Sequence, residues 1–234
     1  GRDKKASGGS GTGVALGIYA TEYAQILAQR PRRRRAYATA PSLAIARGRV
    51  SCALGLHGPC ASFETACSAS LVACHSAERA LQHNECDTHL AAGVNLMLLQ
   101  ASSVGMAIAG MTSIAGRCHT FDGRADGFAR GEGSSGVVLT RGTVAAGLAG
   151  SAVRQDGRSA SLTAPNGQAQ QELLKAALTD AKTIADALCL NEAHGTGTAL
   201  GDPIEAGSLA AAVLSARAPT AGRISSLGGV KANL

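Results

Sequence analysis

Glu64-Thr65-Ala66-Cys67-Ser68-Ala69-Ser70-Leu71 is the stretch on which the reading of this chain turns. Residues 60–66 read as a buried strand, and residues 68–82 carry an Ala-rich helical pattern. Cys67 therefore stands at a strand-to-helix junction. Unpaired backbone N–H groups and the helix dipole favour a thiolate there. A free thiol of pKa ~8.5 is only a few per cent ionised at about pH 7, and a dipole effect of ~1–2 kcal/mol lowers that pKa by roughly one unit. The same N–H groups suit a tetrahedral oxyanion. Small residues on both sides leave room for an acyl chain to reach the sulfur.

A second stretch completes the pattern: Glu192-Ala193-His194-Gly195-Thr196-Gly197-Thr198, followed by Gly201-Asp202-Pro203-Ile204-Glu205. A thiol nucleophile with a distant histidine is the arrangement that covalent acyl chemistry requires. Gly195 and Gly197 let the backbone bend around His194, and Thr196 and Thr198 add hydroxyls beside it. A neutral imidazole there can donate to a thioester carbonyl as it becomes an enolate. The segment from Gly201 to Glu205 is read as shaping the turn and helix that follow. The other histidines (His57, His75, His83, His89 and His119) and the other cysteines (Cys52, Cys60, Cys74, Cys86, Cys118 and Cys189) are read as structural.

Outward from these motifs, strands are expected at residues 14–19, 87–96, 136–140, 148–154, 185–193 and 224–227. Helices are expected at 21–28, from 41 to 46 onward, at 168–182 and from 203 to about 216. In the helix at 168–182, Leu173, Leu174, Ala177, Leu178 and Ala181 share one apolar face. The helix at 68–82 has small side chains all round and reads as packed on several sides. The stretch 110–133 is Gly-rich and polar, too long for a simple connection, and is expected to be functional. The glycines from Gly11 to Gly17 have the wrong spacing for a dinucleotide-binding turn and read as the approach to a strand. Strands alternating with helices imply a mainly parallel sheet covered on both faces, with active groups beyond the carboxyl ends of the strands.

The 234 residues suffice for one sizeable domain, and 45% hydrophobic with 16% charged residues is a globular balance. Aromatic residues are 3% and Trp is absent, so the core is built from small aliphatic side chains and close backbone approach at the 30 glycines. The net charge of +6 owes much to Arg30 and the run Arg32-Arg33-Arg34-Arg35. No aromatic residues interleave with that run, so it reads as a solvated loop and not as a nucleic-acid surface. The seven cysteines form no Cys-x-x-Cys pair. That argues against a disulfide framework or zinc site, and for an intracellular, reducing compartment, cytoplasm or plastid. Metal-ligand spacing is missing among the histidines too. No apolar run reaches the ~18 residues of a membrane span. The start at Gly1 without a Met, and the stop at Leu234, read as cuts in a longer polypeptide.

Taken together, the motifs resemble the β-ketoacyl synthase (ketosynthase) family, in particular the domains of modular type I polyketide synthases. The resemblance runs through Tyr37-Ala38-Thr39-Ala40, Gly48-Arg49-Val50-Ser51, Gly55-Leu56-His57-Gly58-Pro59, Ala92-Gly93-Val94-Asn95, Gly116-Arg117-Cys118, Phe121-Asp122, Ala125-Asp126-Gly127-Phe128, Arg130-Gly131-Glu132-Gly133, Asn166-Gly167 and Gly229-Val230-Lys231-Ala232-Asn233. It implies an α/β, thiolase-like, five-layered αβαβα fold from two similar halves, incomplete at both termini. Residues 1–155 would supply most of the N-terminal half and 156–234 the start of the C-terminal half. The resemblance makes Cys67 the acyl acceptor and His194 one of two histidines that assist decarboxylation of a malonyl extender. It makes Lys231 a support of the active-site hydrogen-bond network, and brings Thr196 and Thr198 against a phosphopantetheine arm. Acyl and malonyl thioesters on an acyl carrier protein are the implied substrates, no cofactor is bound directly, and a homodimer is implied. Glu64, Ala69 and the Arg run depart from the family pattern. The family's second histidine is expected two residues after Leu234, so the stretch alone is expected to be inactive. Three alternatives stay open: a condensing domain of a type I fatty acid synthase, a non-elongating ketosynthase-like domain that binds acyl chains or holds a dimer, and, as the weakest, a nucleic-acid-binding module through the Arg run, whose signature would be a steep salt dependence.

Overall fold

The structure is a computed structural model and describes residues 10–19, 22–29, 42–142, 146–217 and 226–233. Arg30, the run Arg32–Arg35, the Tyr37-Ala38-Thr39-Ala40 motif, Ile224 and Leu234 lie outside the described residues. The chain divides into two compact units, Gly1–Gln100 with Gly131–Ala145, and Ala101–Arg130 with Ala146–Leu234.

The first unit is built on strands β1 (Gly13–Ile18), β2 (Cys60–Phe63), β3 (Thr88–Asn95) and β4 (Gly133–Thr140), in the spatial order β2-β1-β3-β4. Helices α1 (Glu22–Ala28) and α2 (Leu43–Leu54) connect β1 to β2, and α3 (Ala69–Gln82) connects β2 to β3. The first three strands in this order are parallel, with Val14 opposite Cys60 and Leu90. β4 runs antiparallel to β3, from Thr88 opposite Thr140 to Asn95 opposite Gly133. The expected parallel core is thus present, with an antiparallel edge strand added.

A parallel strand covered on both faces needs apolar residues in succession rather than alternation. β1 meets this: Val14 and Ala15 are buried almost completely. Its core partners are Ala73 and Ala77 of α3 and Ala91 of β3, with Phe63, Cys74 and Leu139 packed around them. The apolar buried residues of α3, Ala69, Ala73, Ala77, Ala80 and Leu81, share one side, Glu78 is buried on the other, and Leu71 is 74% exposed. The helix expected to be packed on several sides buries residues on more than one face and leaves its start, at Ser70 and Leu71, exposed. α2 is longer than its start suggested, and stops where Gly55 turns left-handed (φ 65).

The second unit contains α4 (Gln100–Ile108), α5 (Gly167–Asp180), β5 (Leu190–Glu192), α6 (Gly201–Ala212) and β6 (Ser226–Gly228). β5 and β6 pair in parallel, Leu190 with Ser226 and Glu192 with Gly228. Asn166 caps α5, its side-chain oxygen accepting from the amides of Gln168 and Ala169 at 3.1 and 3.2 Å. The predicted apolar face of this helix delivers Leu174 and Leu178 to a core of Ala185, Leu209, Ala212 and Val213.

Two expectations need correction. Residues 148–154 are not assigned to a strand, and the Ser151 amide donates to the Asp180 carboxylate at 2.9 Å. A short run of small and apolar residues is compatible with a strand, but a strand also needs a neighbouring ladder. The strand expected over 185–193 is a 3-10 turn, Ala185–Ala187, followed by the short β5. The long stretch 110–133 is a loop as expected, pinned by a bridge between Thr112 and Phe128.

Candidate active site

Cys67 lies in the first unit, just beyond the carboxyl end of β2, in the 3-10 turn Ala66–Ser68 that leads into α3. It is exposed. Ala66 adopts φ 51, a left-handed conformation that costs an L-residue about 1–2 kcal/mol. The turn is closed by the Ser68 amide donating to the Thr65 carbonyl at 3.2 Å. The Ser68 hydroxyl also donates to that carbonyl at 2.8 Å. Nothing in the sequence marks Ala66 as left-handed, since glycine is the usual residue there.

Two glycines hold the turn in place. A Cβ on Gly17 would lie 2.6 Å from the Ala69 carbonyl carbon and the Ser70 amide nitrogen, and one on Gly93 would lie 2.8 Å from Ser70 Cβ. Gly17 and Gly93 are register partners in β1 and β3. The start of α3 therefore rests on bare backbone from two neighbouring strands. Among the other cysteines, burial pushes the Cys74 and Cys86 thiols up from their ordinary value, which disfavours their thiolates.

The second unit brings His194, Thr196, Thr198 and Lys231 together. His194 follows β5 directly and is exposed. Its amide donates to Glu205 Oε1 at 2.6 Å, and the amide of Gly195 donates to Glu205 Oε2 at 2.9 Å. The His194 carbonyl accepts from Lys231 Nζ at 2.5 Å, and the Gly195 carbonyl accepts from the Thr120 hydroxyl at 2.6 Å. Both amides and both carbonyls of this dipeptide are thus held by side chains. Lys231 sits in the 3-10 turn Val230–Asn233, whose first amide donates to Glu192 Oε1 at 2.7 Å. Arg117 fastens the same turn by donating to the Ala232 carbonyl at 3.3 Å.

Asp202, 3% exposed, holds the rest of the loop. Its Oδ1 accepts from the amides of Gly197 and Thr198 at 3.1 and 3.2 Å, and its Oδ2 accepts from the Phe121 amide at 2.8 Å. Amide donors replace the water that a buried carboxylate gives up. The structural role expected for the segment from Gly201 to Glu205 is therefore specific: two carboxylates from the start of α6 grip the histidine loop. Their spacing of three residues on one helix was the available signal. Thr120 and Glu192 were missed, because their partners are distant in sequence.

The Thr196 and Thr198 hydroxyls lie 3.4 Å apart, and Thr198 Oγ1 accepts from the Gly201 amide at 3.2 Å. Thr198 also lines a cleft of about 440 Å³ with Phe121, Asp122, Ala199, Asp202 and Pro203. On its lip the Arg124 guanidinium donates to Asp122 and holds that carboxyl well below the usual range. Among the described residues no group of His, Cys, Asp and Glu could hold a metal ion, and no helix is long and apolar enough to cross a membrane.

Comparison with known proteins agrees with this geometry. Residues 1–145 match the beta-ketoacyl synthase N-terminal domain and residues 145–234 match the corresponding C-terminal domain. The chain belongs to the β-ketoacyl synthase family. It is 44% identical over 236 residues to a phenolphthiocerol/phthiocerol polyketide synthase of Mycobacterium tuberculosis, covering 97% of this chain and 15% of that protein. It is 40% identical over 211 residues to a mycocerosic acid synthase-like polyketide synthase of Mycolicibacterium smegmatis, covering 86% of this chain and 10% of the relative. The ketosynthase from module 6 of the Bacillus subtilis 168 bacillaene synthase superposes with a TM-score of 0.86 at 33% identity, over 99% of this chain and 41% of that one. The fold is the thiolase-like α/β fold of these ketosynthases. The chain spans a small part of the length of its curated relatives.

Proposed function

We propose that the chain supplies Cys67 and His194 to the β-ketoacyl synthase reaction of polyketide assembly, carried out by the complete polypeptide. The Cys67 thiolate attacks the carbonyl of an acyl thioester on a carrier protein. The carbon–sulfur bond to the phosphopantetheine arm breaks and that thiol leaves. A malonyl thioester then binds and loses CO₂, and the electron pair of the broken carbon–carbon bond becomes an enolate. The His194 imidazole donates a hydrogen bond to the enolate oxygen. The enolate carbon attacks the Cys67 thioester, expels the thiolate, and leaves a β-ketoacyl group on the carrier. One covalent intermediate between two half-reactions implies ping-pong kinetics.

The observation that carries this reading is the exposed Cys67 in a strained turn beyond the carboxyl end of a parallel strand, in a chain of this family. The polyketide synthase names of the relatives favour polyketide over fatty acid assembly. Thr196 and Thr198 are proposed to receive the phosphopantetheine arm, supported by the cleft beside Thr198. Lys231 is proposed to act through the His194 backbone, supported by its bond to that carbonyl. The proposal also includes two halves of one domain, about 1–155 and 156–234, a homodimer, and an intracellular setting that keeps the cysteines reduced.

His194→Ala in the complete polypeptide tests the division of labour. Loading of Cys67 is expected to persist, while CO₂ release from malonyl-carrier thioester falls by about 10²–10³-fold. Undiminished CO₂ release would remove His194 from the mechanism.

A further inference from the structure

We infer that Thr120 is a positioning residue for His194. This rests on the condensing reading above. The Thr120 hydroxyl donates to the Gly195 carbonyl at 2.6 Å, completing the set of side chains that hold the His194-Gly195 backbone; the others are Glu205 and Lys231. Gly195 is buried and has φ 49. Its carbonyl is therefore shut off from much of the solvent that could replace a lost donor.

The Thr120 methyl does a second job. A Cβ on Gly195 would lie 2.6 Å from Thr120 Cγ2, and one on Gly229 would come closer still to the same atom. The methyl thus fills the space left by two glycines, one beside His194 and one beside the turn that carries Lys231. Thr120 is itself fixed, because the next residue, Phe121, donates its amide to buried Asp202 at 2.8 Å. Thr120 accordingly ties the histidine loop and the lysine turn to one support. An imidazole that must meet a forming enolate depends on such a support, since a misplacement of about 1 Å can cost about 10²-fold in rate.

The test uses Thr120→Val and Thr120→Ser in the complete polypeptide. Val keeps the shape and loses the donor; Ser keeps the donor and loses the methyl. Two half-reactions are read separately: loading of Cys67 from an acyl thioester, and CO₂ release from malonyl-carrier thioester. Val is expected to slow CO₂ release about tenfold or more while loading stays within about twofold, and Ser to restore release to within about threefold of wild type. Wild-type CO₂ release by the Val variant overturns the inference. So does a Ser variant as slow as Val, or a Val variant in which loading and release fall together. A wild-type enzyme that neither loads Cys67 nor releases CO₂ overturns the condensing reading itself, and this inference with it.

Discussion

Ala66 sets the position of Cys67 by occupying a conformation that its side chain disfavours (φ 51). Relieving that strain is a direct test of the turn. Ala66→Gly is expected to stabilise the protein by about 0.5–1 kcal/mol, and Ala66→Val to destabilise it by about 1–2 kcal/mol, both read from chemical denaturation. Equal stabilities for the three proteins would contradict a left-handed residue before the cysteine. Glu205 makes a second residue-scale prediction. Its carboxylate accepts from two successive amides, so Glu205→Gln turns one acceptor into a donor facing an N–H. A loss of about 1–3 kcal/mol is expected by the same measurement, with slower CO₂ release. An unchanged denaturation midpoint would mean that the clamp does not hold the loop.

At the scale of elements, the contact of α3 with β1 and β3 decides where the thiol sits. Gly17→Ala puts a methyl against the backbone at Ala69 and Ser70, so a loss of about 1–3 kcal/mol is expected, together with slower loading of Cys67. Full stability in Gly17→Ala would show that the helix does not rest on that strand. His89 links pH to the same sheet. Burial lowers its pKa from the ordinary 6.5, while the Leu90 carbonyl and Glu85 act in the opposite direction. Below pH 6.5 the unfolded chain binds a proton that the folded chain resists, so this stability is full above that pH and declines as pH falls. Subtracting the stability–pH curve of His89→Gln should isolate the decline; parallel curves for the two proteins would contradict it. The strands and helices around Cys67 were legible because an Ala-rich helical pattern and short apolar runs bounded by glycines mark those elements. The antiparallel partner of β3 and the non-strand course of residues 148–154 were not, because strand pairing depends on distant chain that local pattern does not encode.

At the scale of the whole molecule, the proposed chemistry is divided: one unit carries Cys67, and the other carries His194, Thr196, Thr198 and Lys231. The residue types that react were legible in the sequence, since Cys67 and His194 stand in distinctive small-residue surroundings. The residues that aim them were not. Thr120 and Glu192 act on partners whose identity only the fold reveals, whereas the spacing of Asp202 and Glu205 on one helix was a signal in the sequence. The most direct test of the account is to expose the complete polypeptide to an isotopically labelled acyl thioester and map the modified peptide by mass spectrometry. The account predicts a single acyl adduct on Cys67, discharged on adding malonyl-carrier thioester and absent from Cys67→Ala. An adduct on another cysteine, or one that survives in Cys67→Ala, would contradict it.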